Sequence, residues 1–424
     1  MFGRQFGGKT AVSQEDYHYR FANGLVLLGE PMPWLESVAV TVRVPAGSVF
    51  DPQGKEGLAA FTGKLVVRGA GPRDSRALVR DLGLYGIHHF AGVGTYFAKF
   101  VFSTVRAQIG KGLELFADVV RRPQLPASQV ENVRQGMLQD LRGLQDDPAV
   151  RLVRELRRAF YPDPWGRPTS GEIETVSRLT LEDVRGHFQR YYQPDGAIIA
   201  VAGGFHWPGV LDLIGEYFGD WAGQRPVPPP IMFKEVRYQH FPHNSHQVQI
   251  GLAFPGPAYP DQDFFLAWAA AAVLGYGSSS RLFQELREKR GLCYGVGATY
   301  HSGRDRGGIF CYASTLADRA QETLDVLFGE IRRLGEGIRE EELVRVKASV
   351  KSALIMSQES SAARAAAIAR DWSLLGRIRT IDEIRQAIDV LSADSINAYL
   401  RAHPPNGFVV VTVGPRELEV RGEL

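Results

Sequence analysis

The chain writes the same pattern twice. SVAVTVRVPAG at Ser37–Gly47 returns as HQVQIGLAFPG at His246–Gly256, and LTLEDVRGHFQRYYQPDGAIIAVAG at Leu179–Gly203 returns as LSADSINAYLRAHPPNGFVVVTVG at Leu391–Gly414. Both pairs are offset by about 210 residues, and two blocks in the same order at one spacing point to tandem duplication of a single unit. The unit mixes alternating β-branched stretches with stretches of helical period, so its class is α+β. Length agrees, since 424 residues exceed one ordinary core. A proline run, WAGQRPVPPP at Trp221–Pro230, reads as a semi-rigid spacer between the copies. The predicted division is 1–222, a linker over 223–232, and 233–424.

Within the first copy, Asn23-Gly24 marks a tight hairpin over Tyr19–Leu28. Ser37–Pro45 is a strand, and Gly54–Gly71 carries a helical stripe of Leu58, Phe61, Thr62, Leu65 and Val66. A strand pair is expected over Leu82–Thr104, with Tyr96, Ala98, Phe100 and Phe102 opposing Phe97, Lys99 and Val101. Helices follow at Ala107–Arg121, Ala127–Leu144 and from Ala149 to about Tyr161, then a loop at Pro162–Ser170 and two short helices within Gly171–Tyr192. Ala197–Ala202 is an apolar strand ending at Gly203-Gly204. By position in the repeat, the helix at 54–71 has its counterpart near Ala269–Gly275.

The stretch Ser278–Tyr300, SSSRLFQELREKRGLCYGVGATY, carries the densest chemistry. Leu282, Phe283, Leu286 and Arg287 share a helix face, with Gly291 as the C-terminal cap. A period-2 strand then sets Leu292, Tyr294, Val296 and Ala298 on one side. A guanidinium and a phenol thus meet at a helix–strand corner, and both suit a carbonyl oxygen gaining negative charge. From spacing alone, the favoured reading is Arg287 as a helix-surface cation and Tyr294 as a half-buried strand aromatic.

Several functions are disfavoured. A net charge of +2 with scattered arginines gives no reason to expect nucleic acid or an anionic membrane as partner. Cys293 and Cys311 are the only cysteines, which suits reduced thiols and a cytoplasmic setting. MFGRQFGGKTAVSQEDYHYRF has no apolar signal core, and no long apolar run follows. His88-His89 would point to opposite faces of a strand, and His240, His243 and His246 flank Pro242 without a carboxylate among them, so a lead-in loop is the expected role there. Gly275–Ser280 lacks the G-K-[ST] ending of a phosphate loop.

SRLFQELREKRGLCYGV resembles a signature in the second half of pitrilysin-type zinc peptidases, the family of mitochondrial processing peptidase and insulin-degrading enzyme. The resemblance runs from the Asn23-Gly24 hairpin to Gly414. It implies two tandem homologous domains, each a mostly antiparallel sheet packed with helices, together forming half of a clamshell chamber. It also places on Arg287 and Tyr294 the catalytic role of contacting the scissile peptide from across that chamber. Active members carry H-x-x-E-H on the helix of the first half, where GKEGLAAFTGKLVVRGAG puts Ala60, Gly63 and Lys64. Alanine and glycine cannot ligate, and Lys64 would set a positive charge beside a dication. The family's last ligand, a Glu about 76 residues onward, falls on Asp140. The expectation is therefore no metal on this chain and zinc on a partner.

Two readings follow from the resemblance. In the first, the chain is the metal-free subunit of a heteromeric zinc endopeptidase, expected inactive alone, with a homologous zinc-binding subunit and a peptide or unfolded polypeptide as partners. In the second it is an inert scaffold or peptide-binding protein, as the zinc-free core subunits of the respiratory cytochrome complex are. A homodimer remains open. No Ser/His/Asp or Cys/His constellation supports an independent hydrolase.

Overall fold

The computed structural model describes residues 17–233 and 235–420. Most of the N-terminal stretch read for a signal core lies outside the described residues. The first half contributes β1 (Tyr17–Arg20), β2 (Val26–Pro31), β3 (Ser37–Val44), a small ribbon of β4 (Gly69–Ala70) and β5 (Arg73–Asp74), then β6 (His88–Val93), β7 (Ala98–Val105) and β8 (Ile198–Gly203). The second contributes β9 (Tyr238–Pro242), β10 (Gln247–Gly256), β11 (Cys293–Ser302), β12 (Gly307–Leu316) and β13 (Val409–Gly414).

The two large sheets run β1-β2-β8-β3-β7-β6 and β9-β13-β10-β12-β11. Superposing β8 on β13 brings every strand of the second sheet onto one of the first. β8 and β13 are each parallel to one neighbour and antiparallel to the other. The duplication legible in the sequence is therefore a duplication of topology. Residues 221–231, covering the whole proline-rich stretch, have no regular secondary structure.

Both sheets are covered on both faces, which is why β8 (IIAVAG) and β13 (VVVTVG) are buried at every position. One face of each packs on helices of its own half. Phe61 and Leu65 of helix Leu58–Val66, with Phe116 of helix Ile109–Arg121, join Val40, Phe100 and Phe102 in the first core. Helix Phe264–Gly275 does the same in the second, apolar all round because sheet and helices enclose it. The other face of each sheet is covered by a helix from the opposite half. Leu152 and Leu156 of helix Pro148–Phe160 pack on Ala253, Val411 and Val413, and Ile368 and Ala369 of helix Ser361–Leu375 pack on Val26, Leu28, Ile198 and Ala200. This exchange locks the halves together.

At the second crossing, Arg364 donates two hydrogen bonds to the Glu30 carboxylate, each 2.7 Å, with both side chains 5% exposed.

Helix Ser75–Leu84 was not anticipated. Its N-cap, Asp74, accepts from the Ala77 N–H at 2.8 Å, and only Leu78 and Leu82 face inward, too few apolar positions to advertise a helix.

Helix Leu181–Tyr191 buries His187 in the first half. Burial pushes its imidazole down to about 4, with the backbone of Ala46 pulling weakly the other way. The folded state thus binds fewer protons than the unfolded one. The associated stability is complete above pH 6.5 and is lost as pH falls toward 4, a span worth about 3 kcal/mol. Denaturant midpoints of wild type and His187→Phe should converge across that window, and parallel curves would refute the assignment.

Candidate functional site

Arg287 and Tyr294 are brought into contact by two local irregularities. The first is a seven-residue π-helix, Phe283–Lys289, whose widened turn is a form concentrated at functional sites. It closes in a glycine-capped motif. Gly291 takes φ +56°, its N–H reaches the Arg287 carbonyl at 3.2 Å, and the Leu292 N–H reaches the Leu286 carbonyl at 2.8 Å. The second is a β-bulge. Cys293 pairs with Thr315 and Gly295 with Ser314, which leaves Tyr294 as the extra residue at the start of edge strand β11.

The bulge corrects the strict alternation expected from the sequence. Leu292, Val296 and Ala298 share the core side, while Tyr294, expected on the same side, is turned out and is 82% exposed. The Thr315 hydroxyl holds the bulge by donating to the Leu292 carbonyl at 2.6 Å. Cys293 packs inward, its thiol pushed up to about 11 by burial, and Cys311 is likewise buried and free.

The Arg287 guanidinium lies 4.8 Å from the Phe283 ring centroid and 4.9 Å from that of Tyr294. Stacking holds the cation in place without consuming its N–H donors. Glu285, one of two acids in this segment, is taken by Lys289 at 2.5 Å, and among the described residues no carboxylate pairs with Arg287. The outcome is an exposed corner with guanidinium donors and a phenol hydroxyl free for a ligand. Phe283 was missed as a member of this site, although its position four residues before Arg287 is a signal the sequence carries.

The four positions aligned with the zinc site also converge. Ala60, Gly63, Lys64 and Asp140 line one cavity of about 230 Å³ beside β6. Helix Leu58–Val66 is set there by Asp51, which accepts from the N–H groups of Gly57 at 2.8 Å and Ala59 at 2.7 Å. Burial pushes that carboxyl up to about 7 against the pull of both donors and of Arg167.

These residues do not fit zinc. Lys64 Nζ lies 3.1 Å from Asp140 Oδ2, an exposed pair worth at most about 1 kcal/mol. Position 63 is closed by Val93, whose Cγ2 would be 2.7 Å from any added Cβ. Among the described residues no group of three His, Cys, Asp or Glu is placed to hold a metal ion. A zinc titration should leave the melting temperature of the purified chain unchanged, whereas a ligand bound by the native state alone would raise it. Neither Arg287 nor Tyr294 lines this cavity.

The histidines stay apart. His88 and His89 are exposed on edge strand β6, and His240 Nδ1 is 2.8 Å from the Thr412 hydroxyl at the β9–β13 pairing. Among the described residues no helix is long and apolar enough to cross a membrane.

A two-sheet duplication with a degenerate ligand helix in one half and an exposed Arg–Tyr corner in the other defines a zinc-peptidase-like architecture. Residues 30–172 match the model of the insulinase family, peptidase family M16, and residues 178–350 match that of the peptidase M16 inactive domain. The chain belongs to peptidase family M16. It is 26% identical over 381 residues to an uncharacterized zinc protease of Rickettsia felis, covering 89% of this chain and 92% of that protein. Its fold is similar to a peptidase M16 inactive domain from Pseudomonas fluorescens, with TM-score 0.87 and 21% identity over 96% of this chain and 99% of that one. It is similar also to a protease from Helicobacter pylori, with TM-score 0.86 and 21% identity over 95% and 100%.

Proposed function

We propose that this chain is the metal-free subunit of a heteromeric zinc endopeptidase. It closes against a zinc-bearing homologue to form a chamber, with 1–222 and 233–424 as its two homologous domains and 223–232 as the joint. The observation that carries the reading is the Arg287–Tyr294 stack at an exposed corner, whose donors meet no acceptor among the described residues. Arg287 holds a backbone carbonyl of the substrate peptide, and the Tyr294 hydroxyl donates to the oxyanion formed on that peptide. Hydrolysis itself belongs to the partner. Edge strand β6, beside the Lys64–Asp140 cavity, offers unpaired backbone groups to an extended polypeptide. Two unpaired cysteines favour the cytoplasm as its compartment.

The test is a peptidase assay on the purified chain, alone and mixed with an H-x-x-E-H homologue from the same organism. Cleavage of an unstructured peptide should require the mixture. Activity with stoichiometric zinc in the isolated chain would sink the reading. Inactivity of the mixture would transfer the assignment to an inert scaffold or peptide-binding protein.

A further inference from the structure

A second and much larger cavity, of about 1200 Å³, opens where the two halves meet. The turns of hairpins β6–β7 and β11–β12 converge on it, together with the linker and both exchanged helices. Its walls are cationic. Arg43 and Lys99 sit directly opposite each other on β3 and β7, a like-charge pair that strand pairing disfavours, and Arg370 stands beside them. Arg157, Arg225, Arg304 and Arg306 complete the ring. Asp305 is the one carboxylate lining the cavity among the described residues, and it is bound to Arg306.

Part of the excess charge is withdrawn from solvent, while Arg225, Arg304 and Arg370 are exposed. The Arg43 guanidinium lies 4.3 Å from the Phe97 ring centroid and donates to the Ala369 carbonyl and the Ser373 hydroxyl, neither of which neutralises it. Burial and neighbouring Arg370 lower its pKa to about 10, and Lys99 is lowered by burial and by Arg43. His301, 3.4 Å from Arg157, is pushed down to about 4 by burial and that cation, so it adds no charge at neutral pH. The Ser302 hydroxyl is buried on this wall and meets no partner among the described residues. Unpaired cations and an unmet hydroxyl around a concave space focus a positive potential inward.

The cavity is also continuous with the peptide edge. Phe90 of β6 faces it, Ala91 faces the Lys64–Asp140 cavity, and Gly92 and Val93 line both. An extended chain laid along β6 therefore runs from one space into the other. The volume exceeds the usual range of small-molecule pockets, about 300–1000 Å³, and suits several side chains of a polypeptide.

We propose that this cavity binds an acidic segment of an extended polypeptide, so that the protein selects peptides bearing runs of Asp and Glu. The inference rests on the peptidase-subunit reading for the ligand being polypeptide, and it names which polypeptides are taken. Its readout is binding to the isolated chain, which needs no partner.

The experiment is fluorescence anisotropy of the full chain with a labelled unstructured peptide carrying an Asp/Glu run, against its Asn/Gln counterpart. At low salt the acidic peptide should bind about ten-fold more tightly, and the difference should shrink as salt rises to about 0.5 M. The double variant Lys99→Gln/Arg304→Gln, both positions half-buried or exposed, should keep its melting temperature and lose most of the preference. Arg287→Ala should keep the preference. Equal affinity for the two peptides, or a preference untouched in the double variant, would overturn the proposal. So would inorganic tripolyphosphate binding as tightly as the acidic peptide, since the site would then serve a small anion. Selective binding without cleavage in the two-chain assay would remove the peptidase reading and leave this one standing. Cleavage without selectivity would do the reverse.

Discussion

Arg287→Ala and Tyr294→Phe should each lower peptide cleavage by the assembled complex ~100- to 1000-fold, the range seen when one oxyanion donor is removed. The reasoning starts from the phenol. Tyr294→Phe keeps the ring on which Arg287 stacks and deletes one hydroxyl, so its loss should fall mainly on kcat, the parameter that reports interactions made only in the transition state. Arg287→Ala also removes the proposed hold on a substrate carbonyl and should raise KM in addition. Arg287→Lys should not rescue it, because an ammonium cannot lie flat between Phe283 and Tyr294 while presenting a planar fork of donors. The double variant should cost less than the product of the singles, since the two groups share one contact. Zinc content of the partner and assembly of the pair serve as controls. Full activity in the double variant would take both residues out of the mechanism.

Arg364→Met should destabilise the chain by about 3–5 kcal/mol, the scale for removing one member of a buried ion pair. It leaves the Glu30 carboxylate stranded between β2 and helix Ser361–Leu375, among Met32, Ala39, Ala202 and Ala365. Most of that cost is the unpaired charge, so Glu30→Leu combined with Arg364→Met should recover much of it. Urea midpoints of the three variants decide the matter. A single variant as stable as wild type would mean that the pair does not hold the exchanged helix to the first sheet.

Much of the architecture could be read from sequence because it rests on local pattern. Period-2 alternation located β3 and β7, the repeat located β10, and its spacing anticipated that helix Leu58–Val66 and helix Phe264–Gly275 would occupy equivalent places. The loss of ligating chemistry at Ala60, Gly63 and Lys64 is likewise a property of residue types alone. What the pattern missed was non-local or irregular. Helix Ser75–Leu84 shows too narrow an apolar face, and the bulge at Tyr294 depends on how β11 registers against β12, which no residue of β11 announces.

The sequence by itself therefore determined the family, the duplication, the identity of the Arg–Tyr pair and the absence of a zinc donor set. The family and the pair follow from a resemblance carried by SRLFQELREKRGLCYGV, the duplication from a repeat about 210 residues apart, and the missing donors from side-chain chemistry. Tertiary structure alone decided that Tyr294 faces solvent and stacks on Arg287, that Lys64 meets Asp140, that helices are exchanged between the halves, and that seven cations from distant segments line one cavity. The reason is physical: Arg43 and Arg370 lie on elements hundreds of residues apart, and their proximity exists only once the opposite halves cover each other's sheets.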